Sequence, residues 1–229
     1  MKSSLLVLAL LLAPAPGRAH DLWVEPVDDG FVLRIGHRGG ELLPLDAGRV
    51  KAIRCASGHA APADVRGQAH ASGPELRVPA RCDAVTAFLD GGFHSLTPDG
   101  EVSRPKDQVA GAVRSWQSRQ YAKWIDPASP GAARALGDEL EIVPVTDLGR
   151  ARAGEKASFR VLLDGRPVAG AAVAVGHRVV GETDREGEVR VKLRAACVET
   201  LSASVRRPLA TPQADALVLE ASLTFPVGR

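Results

Sequence analysis

The chain has 229 residues and nearly balanced charges, with 29 Lys and Arg against 27 Asp and Glu, for a formal net charge of +2. This balance excludes a nucleic-acid-binding protein that depends on bulk positive charge, and it excludes an acidic disordered tail. A hydrophobic fraction of 45% with 24% charged residues is ordinary globular composition. The length allows one large domain or two of about 100 residues, each with its own core.

Residues 1–19 have the pattern of a secretory signal peptide. A basic start at Lys2 precedes an apolar run over residues 5–12, and Gly17 and Ala19 are small residues at the −3 and −1 positions of a cleavage site. The apolar run is shorter than the roughly 20 residues that span a bilayer. We therefore expect cleavage after Ala19 and a secreted protein without membrane insertion.

Cleavage after Ala19 would make His20 the mature N-terminus. An N-terminal His offers its α-amine and its imidazole Nδ1 to one metal ion, and an α-amine, with an ordinary pKa of about 7.7–8.0, loses its proton readily for that purpose. Cleavage after Gly17 would instead put His20 in third place, an arrangement that binds Cu(II) or Ni(II) in a square plane. Both cleavage sites predict a metal ligand at His20.

Short apolar runs separated by turn residues predict an all-β fold. In the first part of the mature chain, strands are expected at residues 22–24, 31–35, 50–55, 76–78 and 84–89, with a long exposed loop over 56–74 and a turn at Asp90-Gly91-Gly92 that ends the last strand.

Residues 106–125 fit either a helical stripe or a short helix to about Val113 followed by a strand. Residues 126–137, with two Pro and two Gly, are the best linker candidate. From Asp138 about seven short strands follow at regular spacing, which is typical of an immunoglobulin-like sandwich. We predict two β-sandwich domains, a metal-binding domain over 20–137 and an immunoglobulin-like domain over 138–229.

The three cysteines predict one disulfide in an oxidising compartment. Cys55 and Cys82 are the natural pair, because they flank the predicted loop, and Cys197 is left as a buried thiol of the second domain. The absence of a Cys-x-x-Cys sequence removes support for a zinc ribbon or a redox site.

Several sequence segments occur in an order that carries a resemblance to a known family. They are His20-Asp21-Leu22-Trp23-Val24-Glu25-Pro26, the stretch from Asp90 to Gly100 (DGGFHSLTPDG), Pro105-Lys106, Ser115-Trp116, Tyr121-Ala122-Lys123-Trp124, Leu140-Glu141-Ile142-Val143-Pro144, Ala153-Gly154-Glu155, residues 163–168 (LDGRPV) and residues 183–187 (TDREG). Together they resemble the periplasmic accessory proteins of nickel and cobalt uptake, a family largely filed as a domain of unknown function. The second half also resembles carboxypeptidase-regulatory-like sandwich modules.

This resemblance implies a periplasmic transition-metal binder that works beside a component of a metal-uptake transporter. Nickel or cobalt is the implied metal. The chain departs from the family pattern at Phe93-His94, where a Tyr-Trp pair is expected, so an imidazole stands at this point.

Three histidines are the predicted metal ligands. His20 supplies two nitrogen donors at once, His94 follows a Gly-Gly pair at a strand end, and His37 ends the strand after the N-terminal one and could lie near His20. His177 is a weaker candidate. Ligation by nitrogen without sulfur suits Ni(II), Co(II), Cu(II) or Zn(II).

The leading interpretation is a metal-binding protein that does no chemistry, and therefore not an enzyme. One alternative is a copper histidine-brace oxidase acting on polysaccharides. Another is a structural or adhesive pair of sandwich modules that holds no metal, in which the histidines would not cluster.

Overall fold

The computed structural model describes residues 20–176, 178–194 and 198–228. Within these ranges the chain forms 18 strands and three short 3₁₀ turns, and no α-helix. The strands are β1 Asp21–Val27, β2 Gly30–Gly36, β3 Leu42–Leu43, β4 Val50–Ala56, β5 Ala63–Asp64, β6 His70–Ser72, β7 Glu75–Val78, β8 Ala84–Thr97, β9 Gly100–Val102, β10 Arg114–Ile125, β11 Leu140–Pro144, β12 Lys156–Leu163, β13 Arg166–Pro167, β14 Ala172–Val175, β15 Arg178–Glu182, β16 Glu188–Lys192, β17 Val198–Pro208 and β18 Ala216–Pro226. The all-β prediction is confirmed.

Three predictions fall outside the described ranges: the signal peptide at residues 1–19, the candidate ligand His177 and the thiol of Cys197. Among the described residues, no helix has the length and apolar character needed to cross a membrane.

The strands form three sheets, which we name by position. The front sheet has the order β1-β2-β7-β6, with β3 beside β2. The central sheet has nine strands in the order β15-β14-β17-β18-β10-β8-β4-β5, with β9 beside β8, and the back sheet contains β11, β12, β13 and β16.

Two hydrophobic cores lie on opposite faces of the central sheet. Side chains alternate along a strand, and on β10 Ala122 joins the core beneath the front sheet while its neighbour Tyr121 joins the core beneath the back sheet. On β8, Ala87 and Phe88 divide between the two cores in the same way. The molecule is therefore two sandwiches that share one sheet.

The two halves of the chain are joined within the central sheet by a parallel pair. β10 of the first half pairs with β18 of the second over nine residue positions, from Trp116 opposite Ala216 to Trp124 opposite Thr224. The domain boundary near residue 137 stays a prediction. The central sheet contains strands from both sides of this boundary.

The segment from Lys106 to Ile125 resolves into a 3₁₀ turn at Lys106–Gln108 followed by strand β10. The helical interpretation is wrong here, and the alternative with a strand is confirmed in its second part. The spacing of four between Trp116, Gln120 and Trp124 fits one face of a helix, but four is also an even number, so the same residues share one face of a strand.

The turn expected at Asp90-Gly91-Gly92 is also corrected, since β8 continues through it to Thr97. A β-bulge replaces the turn: Ser118 pairs with Gly92 and Arg119 with Asp90, which leaves Gly91 as the extra residue. A Cβ atom on Gly91 would lie 2.6 Å from the Ser118 Oγ, and Gly92 has a φ of +72°, so glycine is required at both positions.

The predicted disulfide between Cys55 and Cys82 is confirmed, with a Cα–Cα distance of 5.4 Å. The stretch that it encloses is more ordered than the predicted loop, because it contains β5, a 3₁₀ turn at Arg66–Gln68 and the β6–β7 hairpin.

Four buried polar residues and the half-buried Arg54 hold the segment that leads from β10 to β11, and we call them the linker cluster: Lys123, Glu141, Asp138, Thr86 and Arg54. The Lys123 ammonium donates to Glu141 at 2.6 Å, with the two side chains only 3% and 2% exposed. Asp138 accepts hydrogen bonds from Arg54, at 2.8 Å, and from the Thr86 hydroxyl. Backbone amides of residues 136 and 137 also donate to the Glu141 carboxylate. The predicted linker is thus fixed to the core.

Candidate functional site

Two of the predicted ligands, His20 and His37, meet at the end of the β1–β2 hairpin. The hairpin pairs Asp21 with Gly36, so His20 and His37 occupy the next opposed positions in the same register. Their ring centroids are 5.3 Å apart and the ring planes are inclined by 51°. The hairpin therefore places two imidazoles side by side.

A tight turn after β2 fixes the backbone at His37. The His37 amide donates to the Glu41 carbonyl and the Gly40 amide donates to the His37 carbonyl, each at 2.9 Å. Gly36 precedes this turn with a φ of +140°, and a Cβ atom there would lie 2.4 Å from the Glu41 carbonyl oxygen. The glycine is needed for the close approach of the two backbone segments.

The paired histidines border a cavity of about 770 Å³, which we call the histidine cavity. It forms where the front sheet ends and the central sheet continues beyond it. The N-terminal hairpin makes one wall, and strands β10, β14, β17 and β18 make the floor.

Two side chains of the central sheet hold the start of β1 against this floor. The Gln120 amide donates to the His20 carbonyl at 3.2 Å and to the Glu220 carboxylate at 3.0 Å. The Ser222 hydroxyl donates to the Leu22 carbonyl at 2.6 Å. These contacts join the hairpin to strands that lie about 100 and 200 residues further along the chain.

The charged side chains that line the cavity are acidic. They are Asp21, Glu41 and Glu220, and no Lys or Arg is among the described lining residues. Burial raises the pKa of Glu220, and the nearby Asp21 raises it further, whereas the hydrogen bond from Gln120 and the proximity of His94 lower it. A cation in the cavity would relieve the cost of this buried carboxylate.

The third predicted ligand, His94, lies apart from the other two. It stands on β8 and stacks on Trp116, with ring centroids 5.4 Å apart. Its Nδ1 lies 2.9 Å from the Glu101 carboxylate and its Nε2 lies 3.1 Å from the Gly91 carbonyl. The structure does not bring His94 to the lining of the histidine cavity.

The fit of a metal ion to these residues depends on the N-terminus. Within residues 20–176, 178–194 and 198–228, no three His, Cys, Asp or Glu side chains form a group that could hold a metal by themselves. If His20 is the mature N-terminus, its α-amine and imidazole together with His37 make three nitrogen donors. The residues present fit a divalent transition metal on that condition.

Glu220, Gln120 and Ser222 are cavity residues that the sequence did not reveal. One feature of the sequence could have identified Glu220: it is the only charged residue in the otherwise mostly apolar strand β18. An isolated charged residue in a central strand is usually paired with another polar group or has a functional role.

Residues 17–206 match a protein family described as a domain of unknown function, DUF4198. Because this match spans most of the chain, the protein belongs to that family. Among solved structures, the D0-D1 domain of Intimin aligns over 90% of this chain and 98% of its own length, at 12% identity and a TM-score of 0.24. That similarity is too low to carry an argument about fold or function. A comparison with curated proteins finds no match.

Proposed function

We propose that this protein is a periplasmic binding protein for a divalent transition metal, foremost Ni(II) or Co(II), and that it assists uptake of the metal beside a transporter component. The observation that carries the proposal is the contact between His20 and His37 on the wall of an acidic cavity. The secretory signal pattern and the Cys55–Cys82 disulfide support an oxidising compartment.

Mature His20 would provide its α-amine and one imidazole nitrogen, and His37 would provide another nitrogen. A carboxylate of the cavity wall, such as that of Asp21, would offset the charge of the ion. Three nitrogen donors without sulfur suit Ni(II), Co(II), Cu(II) and Zn(II). The metal supplies no reaction in this proposal, and the protein only holds and releases it.

The chain's own residues would set the affinity. Gln120 and Ser222 fix the backbone of the N-terminal residues, so less conformational entropy would be lost when the metal binds. Protons compete with the metal for these nitrogen donors, so we expect metal affinity to fall as the pH is lowered.

Calorimetric titration of the mature protein that begins at His20 tests the proposal. We expect binding of Ni(II) and Co(II), and a loss of at least about tenfold in affinity, or about 1.4 kcal/mol, for both His20→Ala and His37→Ala. His70→Ala is the matched control, because His70 lies on β6 and does not line the cavity. A protein with one Ala added before His20 should lose the chelate while it keeps both imidazoles. Absence of binding, or equal affinity in all variants, would overturn the proposal.

The paired histidines also favour one competing function. A copper histidine brace needs a second His beside the N-terminal one, and His37 occupies such a place. The copper-loaded protein should then consume peroxide in the presence of a polysaccharide, and His37→Ala should abolish this activity. A binding protein shows no such turnover. The structural or adhesive alternative does not require the two histidines to be in contact.

A further inference from the structure

A second cavity, of about 520 Å³, lies on the opposite side of strand β15 from the histidine cavity. Val179 borders the histidine cavity, whereas its neighbours Arg178 and Val180 line the second one, as the alternation of side chains along a strand requires. β15 is at the edge of the central sheet, and residues of β16, which pairs with β12 in the back sheet, also line this cavity. The volume is in the range of about 300–1,000 Å³ that is usual for small-molecule sites.

The lining of this cavity is strongly basic, and we call it the basic groove. Of its eight described lining residues, three are valines, five are basic and none is acidic. The basic residues are Lys156, Arg178, Arg190, Lys192 and Arg194. The groove therefore concentrates positive charge around an open space.

The basic side chains of β16 lie on one face of the strand. Arg190 and Lys192 are exposed, while Val191 between them is buried, and this alternation continues to the exposed Arg194. At a rise of about 3.3 Å per residue, the distance from Arg190 to Arg194 is roughly 13 Å. Lys156 of β12 lies directly opposite Lys192. Like charges in opposed positions destabilise a sheet, so an anion between them would remove an unfavourable interaction.

Acidic residues of the described ranges leave most of this charge uncompensated. Glu199, only 2% exposed, accepts hydrogen bonds from the backbone amide and the guanidinium of Arg194, at 2.9 and 2.8 Å, and so fixes Arg194 in place. Glu188, close to the groove in sequence, is paired with Arg160. Within residues 20–176, 178–194 and 198–228, the other four basic side chains of the groove make no ion pair or hydrogen bond.

The composition of the groove indicates the chemistry of its ligand. The planar guanidinium of arginine binds phosphate oxygens through two parallel hydrogen bonds, and lysine binds phosphate as a point charge. A phosphate monoester carries a charge of about −1.5 to −2 at neutral pH. Two such groups would therefore balance the four uncompensated positive charges.

We infer that the basic groove binds a ligand with two phosphate groups, held between Arg190 and Lys192 of β16 and Arg178 of β15. The inference goes beyond the proposed function, because it uses neither His20 nor His37. The phosphates could belong to a soluble molecule or to a lipid headgroup, and both offer the same oxyanion chemistry to the groove.

The same charges have a simpler role to be tested against this inference. Basic residues on edge strands discourage pairing between the sheets of two molecules. That role needs exposed charge, but it does not need the charges to converge on a cavity or to bind an anion.

Calorimetry and vesicle sedimentation with metal-free protein test the inference. Fructose 1,6-bisphosphate should bind at least about tenfold more tightly than inorganic phosphate, and its affinity should fall as the salt concentration rises. Vesicles of phosphatidylcholine that contain cardiolipin, whose headgroup has two phosphates, are compared with vesicles of phosphatidylcholine alone. Binding of the soluble bisphosphate supports a soluble ligand, and binding of the cardiolipin vesicles without it supports a lipid headgroup.

A double variant tests the groove residues themselves. Arg190→Gln with Lys192→Gln should weaken binding of the bisphosphate or the cardiolipin vesicles by at least about tenfold. Both side chains are exposed, and removal of the repulsion between Lys156 and Lys192 should leave thermal stability unchanged or raised. The matched control, Lys51→Gln with Arg104→Gln, removes the same charge from exposed residues that do not line the groove. It should stay within about twofold of the unmodified protein.

Three results would overturn the inference. Absence of binding to both the bisphosphate and the cardiolipin vesicles would leave protection of the sheet edges as the role of these charges. Equal losses in the groove variant and the control would show general attraction of anions to the protein surface, and an unchanged affinity in the groove variant would place the phosphates elsewhere. None of these results bears on the proposed function, which is tested by nickel binding in the His20 and His37 variants.

Discussion

The linker cluster contains buried carboxylates and the histidine cavity contains partly buried ones, and the partners of these carboxylates differ. In the linker cluster, Glu141 is paired with Lys123 and receives backbone amide hydrogen bonds as well. In the cavity, Glu220 accepts a hydrogen bond from Gln120 and borders the open space near another carboxylate, Asp21. Paired buried charges fix a structure, while an acidic wall around open space creates a place for a cation. We therefore expect Glu141 to support the fold and, under the proposed function, Glu220 to contribute to metal binding.

The largest expected effect comes from breaking the linker cluster at Glu141. Glu141→Gln removes the carboxylate that is hydrogen-bonded to the buried Lys123 ammonium, so we expect the free energy of unfolding to fall by about 3–5 kcal/mol. Guanidinium unfolding measures this loss. Asp147→Asn is the control, because the Asp147–Arg150 pair is exposed and should change stability by less than about 1 kcal/mol. A similar loss of stability in both variants would show that the linker cluster contributes no more to stability than an exposed ion pair.

A smaller effect should come from the pH dependence of Asp138. Burial raises its pKa from 3.8 to about 6, against the lowering effects of the Thr86 hydrogen bond and of Arg54. The contribution of Asp138 to stability is fully present below its unfolded-state pKa and is lost as the pH rises through 6. Asp138→Asn has no such loss, so its stability relative to the unmodified protein should rise by roughly 2 kcal/mol between pH 4 and pH 7.5.

Guanidinium unfolding at the two pH values measures this difference. Taking the difference between the variant and the unmodified protein at each pH cancels the titration of all other groups that the substitution leaves unchanged. A difference that is the same at pH 4 and pH 7.5 would contradict the raised pKa.

In the cavity, replacing a carboxylate by an amide should not lower stability, in contrast to Glu141→Gln. Glu220→Gln removes a carboxylate whose charge is disfavoured by burial and by Asp21, so we expect stability at pH 7 to stay constant or to rise by up to about 1 kcal/mol. Its affinity for Ni(II) should fall severalfold, since a negative charge near the ion is lost. A large loss of stability would place Glu220 with the linker cluster instead.

The smallest expected effect concerns His94. The His94 ring is stacked on Trp116, and its nitrogens lie beside Glu101 of β9 and the Gly91 carbonyl of β8. His94→Ala should therefore leave nickel affinity within about twofold of the unmodified protein. Its cost should be limited to about 1 kcal/mol of stability from the lost hydrogen bonds and stacking. Calorimetry and thermal unfolding measure the two quantities. A tenfold loss of affinity would return His94 to the ligand set.

The contact between His20 and His37 could be anticipated from sequence because it is local. A turn at Asp28-Asp29-Gly30 sets Val27 opposite Gly30, and counting back along the hairpin brings His20 opposite His37. The same holds for the Cys55–Cys82 disulfide, which lies across a short stretch of chain.

The floor of the cavity could not be anticipated in this way. Gln120 and Glu220 meet only because β10 and β18 pair in parallel across about 100 residues, and no turn fixes that register. On β10, Tyr121, Ala122 and Lys123 are all buried, because the strand is covered on both faces. This removes the alternation of polar and apolar residues by which a strand is recognised.

The place of β18 in the central sheet has a consequence for biosynthesis. β18 follows all the other described strands in sequence, yet it supplies Glu220 and Ser222 and pairs with β10, which lies about 100 residues earlier. A chain that is synthesised from its N-terminus contains His20 and His37 early, but the floor beneath them is incomplete until β18 has followed. The histidine cavity is thus completed only after β18 has joined the central sheet, so residues that are close to the N-terminus depend on a much later segment for their surroundings.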